Sequence, residues 1–161
     1  MKKAIFLLSA LALVGCEEED VKAALNGDVR VFSVSGIGFD GTGAIPAGYY
    51  DITDVANDTG VTLPSDLPQA NSAVLENLGV KVNKSTCGKI TANGSVCFSD
   101  GGNSGCIPDD ITMLGLAVYT IDMSDLQTAV DGGFYPTIAT SLTGSYADID
   151  FKDVSCPVTG S

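Results

Sequence analysis

The chain has 161 residues, 45% of them hydrophobic, and its 20 acidic residues against 8 basic ones give a net charge of −12. So acidic a chain repels nucleic acid and anionic lipid headgroups, which argues against both as partners. It contains no histidine, which removes Ser-His-Asp and Cys-His catalytic systems and histidine-ligated metal sites.

The first residues have the pattern of an export signal. Lys2 and Lys3 precede an uncharged, mostly apolar run over residues 4–14, and the small residue Gly15 precedes Cys16. A membrane-spanning helix needs about 20 apolar residues, so this run is too short to be one. A basic start, a short apolar run and a small-residue exit are typical of a secretory signal, so we predict a signal peptide over residues 1–15.

The sequence Leu13-Val14-Gly15-Cys16 resembles the lipobox of bacterial lipoproteins. The resemblance covers this segment alone. It implies that the Cys16 thiol receives a diacylglyceryl group, that cleavage occurs before Cys16, and that the new amine is acylated, with palmitate as a typical fatty acid. Several acyl chains hold a protein durably on a membrane. The resemblance therefore implies a lipid-anchored protein of the cell envelope, and Glu17 favours the outer membrane over the inner one in a diderm cell.

We predict three segments. Residues 1–15 are the signal peptide, residues 16–27 are the lipidated cysteine and a solvated acidic tether with room for a brief helix, and residues 28–161 are one β-rich domain with disulfides. A domain of this length buries about two-thirds of its unfolded surface and needs no partner to fold. Without residues 1–15, six basic and twenty acidic residues remain, a net charge of −14.

Four cysteines follow Cys16, namely Cys87, Cys97, Cys106 and Cys156. An even number of cysteines in an exported chain predicts two disulfides. The spacing contains no Cys-x-x-Cys pair, and with no histidine available a zinc site is disfavoured.

The pairing of these cysteines follows from a predicted hairpin. A two-residue turn at positions 93 and 94 would place Cys87 and Cys97 on opposite faces of the hairpin. A disulfide needs Cα atoms within about 7 Å, so that register disfavours a Cys87–Cys97 bond. We therefore predict Cys97–Cys106, closed by a glycine-rich loop, and Cys87–Cys156, which holds the C-terminal strand.

The domain reads as mainly β. Apolar residues alternate from residue 29, with a change of parity near residues 32–34 that indicates a β-bulge, and Asn-Gly or Asp-Gly turns recur along the chain. The continuous apolar run over residues 113–121 predicts a buried strand. Residues 134–140 and 146–154 read as a closing hairpin around Thr143-Gly144.

One segment has helical spacing instead. Leu67, Ala70, Val74 and Leu78 recur at the helical period and Gly79 follows as a C-terminal cap, which predicts a helix near residues 65–78. Residues 124–130 predict a second, short helix. The predicted fold is an antiparallel sandwich or barrel-like sheet with the helix at 65–78; an α+β domain is the alternative.

Residues 36–41 match the Gly-x-Gly-x-x-Gly dinucleotide-binding pattern. That site needs a helix to begin immediately afterwards, so that its amides hold the pyrophosphate. The next residues, Thr-Gly-Ala-Ile-Pro-Ala-Gly, do not start a helix. We predict a glycine-rich turn and no cofactor.

Calcium is the one metal for which the sequence offers ligands, because hard cations bind several carboxylate oxygens in loops. No helix–loop–helix calcium spacing is present, and no catalytic residues are predicted. The candidate calcium ligands are Asp51, Asp54, Asp58, Asp148, Asp150 and Asp153.

Two functional hypotheses remain. The first is a non-catalytic envelope domain that binds an unknown envelope protein or glycan, or assembles with copies of itself. The second is a small envelope hydrolase that uses a pair of carboxylates.

Overall fold

A computed structural model describes residues 18–60, 63, 67, 69–91, 96–100, 103–107, 111–137 and 150–158, with the backbone alone at 96–100, 103–107 and 150. The helices are α1 (Glu18–Leu25), α2 (Val55–Thr59), α3 (Ser72–Asn77) and α4 (Leu126–Asp131), the last preceded by a 3-10 turn, Met123–Asp125. The strands are β1 (Asp28–Phe39), β2 (Gly48–Asp51), β3 (Val82–Thr91), β4 (Val96–Asp100), β5 (Asn103–Ile107), β6 (Ile111–Asp122), β7 (Tyr135–Pro136) and β8 (Asp150–Val154).

The predicted mainly β class is confirmed. Six strands form one antiparallel sheet in the order β2-β1-β6-β3-β8, with β7 paired to β1 on the same side as β2. Strands β4 and β5 form a separate two-stranded sheet. Over the part of the chain that the structure describes, β2 and β8 stand at opposite ends of the order, so the sheet is open and not closed into a barrel.

Strand β6 lies at the centre of the sheet, as its continuous apolar run predicts. Its residues Leu116 and Val118 are fully buried on one face, here called face A. Tyr119 and Ile121 are buried on the opposite face, here called face B. A strand covered on both sides has no polar alternation, which is why the run reads as continuously apolar.

Different elements cover the two faces. On face A the core is closed by Ile45, Ile52, Val55 of α2 and Leu67. On face B it is closed by Leu75 of α3, Ala129 of α4 and Phe134. The six-stranded sheet is therefore a central layer that is covered on both faces.

The predicted bulge in β1 is present one residue later than expected. The pairing of β1 with β6 shifts register between Val34 and Gly36, and again between Gly38 and Phe39. Because of the first shift, Val34 and Ile37 both join the face A core. The Asp40-Gly41 turn follows β1, with Gly41 at a φ of 79°.

The helix predicted near residues 65–78 is shorter in the structure. It begins at Ser72, where the Asn71 side chain accepts a hydrogen bond from the Ala73 amide at 3.1 Å. Residues 69–71 are not helical, because this cap fixes the start of the helix. The predicted cap at Gly79 is confirmed, with a φ of 77°. Its buried residue is Leu75, whereas Leu78 is 44% exposed, so the predicted apolar stripe was wrong at Leu78.

The two predicted hairpins were wrong. Strand β7 pairs with β1 and β8 pairs with β3, so the two strands of the supposed closing hairpin lie on opposite sides of the sheet. Strand β3 is flanked by β6 and β8, which leaves it no edge for a hairpin with β4. The predicted turns at residues 93–94 and 143–144 lie outside the described residues.

Candidate functional site

The acidic segment predicted as a solvated tether contains helix α1. Glu18, Glu19 and Asp20 fill its first turn, where negative charge interacts favourably with the helix dipole. Lys22 lies 2.9 Å from Glu18 and 3.2 Å from Glu19, at helical spacings that stabilise the turn.

Helix α1 packs against β1 and does not extend freely into solvent. Its Ala23 is buried, and the side chain of Asp20 is only 9% exposed. The prediction of a spacer over residues 16–27 therefore missed that one side of α1 packs against the sheet. The run of acidic residues indicated a solvated segment instead.

Asp20 is held by Arg30, the single arginine of the chain, which is 4% exposed on face A of β1. The Arg30 Nη1 donates to Asp20 Oδ1 at 3.2 Å, and Nη2 donates to Asp153 Oδ1 of β8. The guanidinium lies 5.5 Å from the centre of the Phe151 ring. A buried charge needs such partners, and through them Arg30 joins α1 to β8. We call these three residues, Arg30, Asp20 and Asp153, the Arg30 clamp.

Thr137 adds to the clamp from the residue after β7. Its hydroxyl donates to Asp20 Oδ1 at 2.7 Å, and its amide donates to the Arg30 carbonyl oxygen at 3.0 Å. Thr137 is 2% exposed. Asp20 thus receives two donors in a buried position, which fixes the orientation of α1 on the sheet.

A cleft of about 580 Å³ opens between α1 and strands β1, β3, β6 and β8. We call it the α1 cleft. Its lining includes side chains of both charges and several neutral hydrogen-bonding groups: Glu19, Lys22, Asp28, Arg30, Asn83, Lys84, Thr86, Thr120 and Asp153.

Polar side chains of the cleft interact with neighbouring carboxylates. The Lys84 ammonium lies 3.7 Å from the Glu19 carboxylate, and the Asn83 amide bridges Asp28 at 3.2 Å and Asp122 at 2.8 Å. Three of the six basic residues that follow position 15 line this cleft. The scarce positive charge of the chain is therefore concentrated where α1 meets the sheet.

The electrostatics of α1 stabilise its charged forms. The hydrogen bond from Lys22, followed by its charge, lowers the pKa of Glu19 below the ordinary value. Hydrogen bonds to Glu18 and Glu19 raise the pKa of Lys22.

The predicted Cys87–Cys156 disulfide is present, with a Cα–Cα distance of 5.4 Å. It joins β3 to the segment that follows β8. The hairpin register from which it was predicted is absent, because β8 rather than β4 pairs with this part of β3. Cys97 and Cys106 are directly opposite each other in the β4–β5 pair, and their disulfide stays a prediction.

The candidate calcium ligands at the described positions lie in two separate places and do not converge on one site. Asp51 accepts hydrogen bonds from the Thr53 amide at 3.0 Å and hydroxyl at 2.8 Å. Asp54 and Asp58 lie with it around α2, while Asp153 is on β8 at the other end of the sheet. Within the described residues no three acidic, cysteine or histidine side chains converge on a metal position. Asp148, the Asp150 side chain and Cys16 lie outside them.

The glycine pattern at residues 36–41 was predicted as a glycine-rich turn, but residues 36–39 belong to β1 and only Asp40 and Gly41 lie after the strand. A Cβ added to Gly36 or Gly115 would overlap the hydroxyl group of Tyr49, whose ring lies across both glycines. Burial, the largest cause, raises the pKa of Tyr49. These glycines therefore serve the packing of an aromatic ring.

Sequence reasoning missed the Arg30 clamp. The signal that could have indicated it is an arginine inside the apolar strand Val29-Arg30-Val31-Phe32. Arginine at a core position implies a buried acidic partner, although its identity depends on the tertiary fold.

Searches against protein-family models, curated proteins and solved structures find no match for this chain. Over the described ranges, no helix combines the length and the apolar composition needed to cross a membrane.

Proposed function

We propose that this chain is a lipid-anchored protein of the cell envelope whose domain is mounted directly at the membrane and acts without catalysis. It binds a protein or glycan of the envelope, or assembles with copies of itself. The observation that carries the proposal is the docking of α1, because this helix begins two residues after the cysteine of the lipobox.

The distance between anchor and domain supports a mount rather than a long tether. Two residues span at most about 7 Å, so a lipid group on Cys16 holds Glu18 close to the bilayer surface. The hydrogen bond between Asp20 and Arg30 then holds the sheet at a fixed place relative to α1. A domain held in this way presents one constant side to its neighbours in the envelope.

Two further properties support an envelope location and a non-catalytic role. The Cys87–Cys156 disulfide is typical of proteins that fold in an oxidising compartment. The lack of histidine removes the usual proton-transfer group near neutral pH, so the non-catalytic role is the one proposed.

The anchor is tested by expressing the chain with Cys16→Ser and, as a matched change in the same segment, Ser9→Ala. We expect mass spectrometry to find a fatty-acylated Cys16 at the amino terminus of the wild type and of Ser9→Ala. We expect the Cys16→Ser variant to lack fatty acid and to leave the membrane fraction. An intact start methionine without fatty acid in the wild type would contradict the anchor.

The binding role is tested by cross-linking intact envelopes and isolating the tagged protein. We expect a defined partner or oligomer with the wild type and loss of that product with Cys16→Ser, which no longer stays at the membrane. Consistent recovery of free monomer from the wild type would contradict this role.

A further inference from the structure

Three exposed apolar side chains lie at one end of the six-stranded sheet. Leu25, the last residue of α1, is 82% exposed, whereas Leu78 after α3 and Met123 after β6 are each 44% exposed. The register pairs the first residue of β1 with the last residue of β6, and the first residue of β3 with the residue before it. The three side chains therefore belong to segments that meet at the same end of the sheet.

Leu25 and Met123 are close neighbours at this end. The Met123 amide donates a hydrogen bond to the Gly27 carbonyl oxygen at 2.9 Å, and Gly27 follows Leu25 by two residues. Backbone contact thus holds the two exposed residues side by side. Exposed apolar groups that adjoin one another are typical of a surface that contacts a protein or a membrane.

The position of Cys16 favours the bilayer as the occupant. Glu18 begins α1 two residues after Cys16, so these two positions are at most about 7 Å apart. Leu25 lies seven residues further along α1, which is about 10 Å at the rise of an α-helix. A bilayer that holds acyl chains on Cys16 is therefore within reach of Leu25 when α1 lies oblique or flat to its surface.

We propose that Leu25 and Met123 form a membrane-contact surface that enters the interfacial region of the bilayer beside the lipid anchor. The inference rests on the proposed anchor at Cys16, and it adds which side of the domain faces the membrane. Attachment through Cys16 gives this surface a high effective concentration at the bilayer. Two apolar side chains are then sufficient for a contact that the unattached domain would not maintain.

The charges around the membrane-contact surface determine which lipids it accepts. Asp28, Asp122 and Asp125 lie within a few residues of Leu25 or Met123 in the chain. Their carboxylates are repelled by an anionic lipid surface, whereas phosphatidylcholine carries no net charge. The contact is therefore stronger on a zwitterionic bilayer than on an anionic one, which is the opposite of the preference of basic membrane-binding helices.

The contact is tested with single tryptophan residues, because the chain contains none of its own. Leu25→Trp is compared with Ala44→Trp, a matched change at an exposed residue in the segment after β1, at the opposite end of the sheet. Both variants carry the same ring, so its own affinity for lipid is matched. Each full chain is expressed with its signal, purified in detergent, reconstituted into phosphatidylcholine vesicles with brominated acyl chains, and floated.

We expect bromine to quench the emission of Leu25→Trp at least about twofold more than that of Ala44→Trp, because only the first ring reaches the boundary of the acyl chains. Added phosphatidylglycerol should reduce this difference, and an undiminished difference would contradict the role of the carboxylates.

The outcomes separate the contact from the anchor. Floating chains with equal quenching at both positions overturn the membrane contact and leave the anchor intact. Chains that stay out of the floating fraction overturn the anchor and the contact together. A blue-shifted emission of Leu25→Trp without quenching by bromine shows that protein, such as a second copy of the chain, covers this surface, which also overturns the proposal.

Discussion

Arg30 on β1 and Asp153 on β8 are 123 positions apart in the chain, and their side chains form an ion pair across face A of the sheet. The same guanidinium binds Asp20 of α1. One buried cation thus joins the first helix, the first strand and the last strand, and its removal should affect all three.

We expect Arg30→Met to lower the free energy of unfolding by about 3 kcal/mol, the low end for breaking a buried ion pair, because Asp153 is partly solvated. Denaturant-induced unfolding measures this difference. The control is Lys81→Met, which changes an exposed lysine and should stay within about 0.5 kcal/mol of the wild type. Equal stability of the two variants would show that the clamp contributes little.

We expect Gly36→Ala to destabilise the protein by about 1–3 kcal/mol, because the new Cβ would overlap the Tyr49 hydroxyl and lie 2.7 Å from the Tyr50 carbonyl oxygen. Gly38→Ala in the same strand is the control, since its nearest neighbour would be Met113 at 3.4 Å. Thermal unfolding of both variants measures the difference. A loss in Gly38→Ala as large as in Gly36→Ala would refute the packing role of Tyr49.

We expect the free energy of unfolding to fall at alkaline pH because the Tyr119 hydroxyl ionises more readily in the unfolded state than in the folded state. Burial, the largest cause, raises the pKa of Tyr119 above its ordinary value of 10.0, since ionisation would place a charge beside the face B core. The folded state therefore retains this proton where the unfolded state loses it. This contribution to stability is complete below pH 10 and declines as the pH rises towards the folded-state pKa.

The alkaline effect is measured by comparing Tyr119→Phe with the wild type. At neutral pH the variant should be less stable by about 1 kcal/mol, because it loses hydrogen bonds with Ser33 and Ser72. Above pH 10 the two unfolding free energies should converge. Phe134→Leu alters the ring that packs edge-on against Tyr119, 5.7 Å between centroids, and its difference from the wild type should stay constant with pH. Parallel curves for Tyr119→Phe would contradict the prediction.

Peptide mapping of the unreduced protein should recover Cys97 and Cys106 in one linked product and Cys87 and Cys156 in another. The first pair is directly opposite in the β4–β5 register, and the second is bonded in the structure. Reduced and alkylated protein is the control for linkage. A peptide that joins Cys87 to Cys97 would refute both assignments.

Local patterns gave reliable predictions where burial alone determines them. The apolar run of β6 indicates a strand covered on two faces, and the glycine at position 79 ends α3, because both properties depend on neighbouring residues. The short helix predicted over residues 124–130 corresponds to the 3-10 turn and α4. The start of α3 was missed because the apolar spacing extends through residues upstream of the Asn71 cap.

Strand partners were not predictable from the same patterns. Alternation shows which residues share a face, but it does not say which distant strand lies alongside. The pairs β1–β6 and β3–β8 join segments far apart in the chain, whereas both hairpins were inferred from adjacent segments. The Arg30 clamp was missed for the same reason, because its two carboxylates come from α1 and β8.

The strand order also sets the moment at which the sheet can form. Strand β1 pairs with β6, which ends at Asp122, and β3 also pairs with β8, which ends at Val154. The complete sheet can therefore form only when nearly all of the chain has been synthesised. Such non-local closure is slow, because loop entropy is lost before the contacts form. In a chain exported as proposed, the complete sheet would therefore be absent while β8 is still being synthesised, and an incompletely folded chain can pass through a narrow translocation channel.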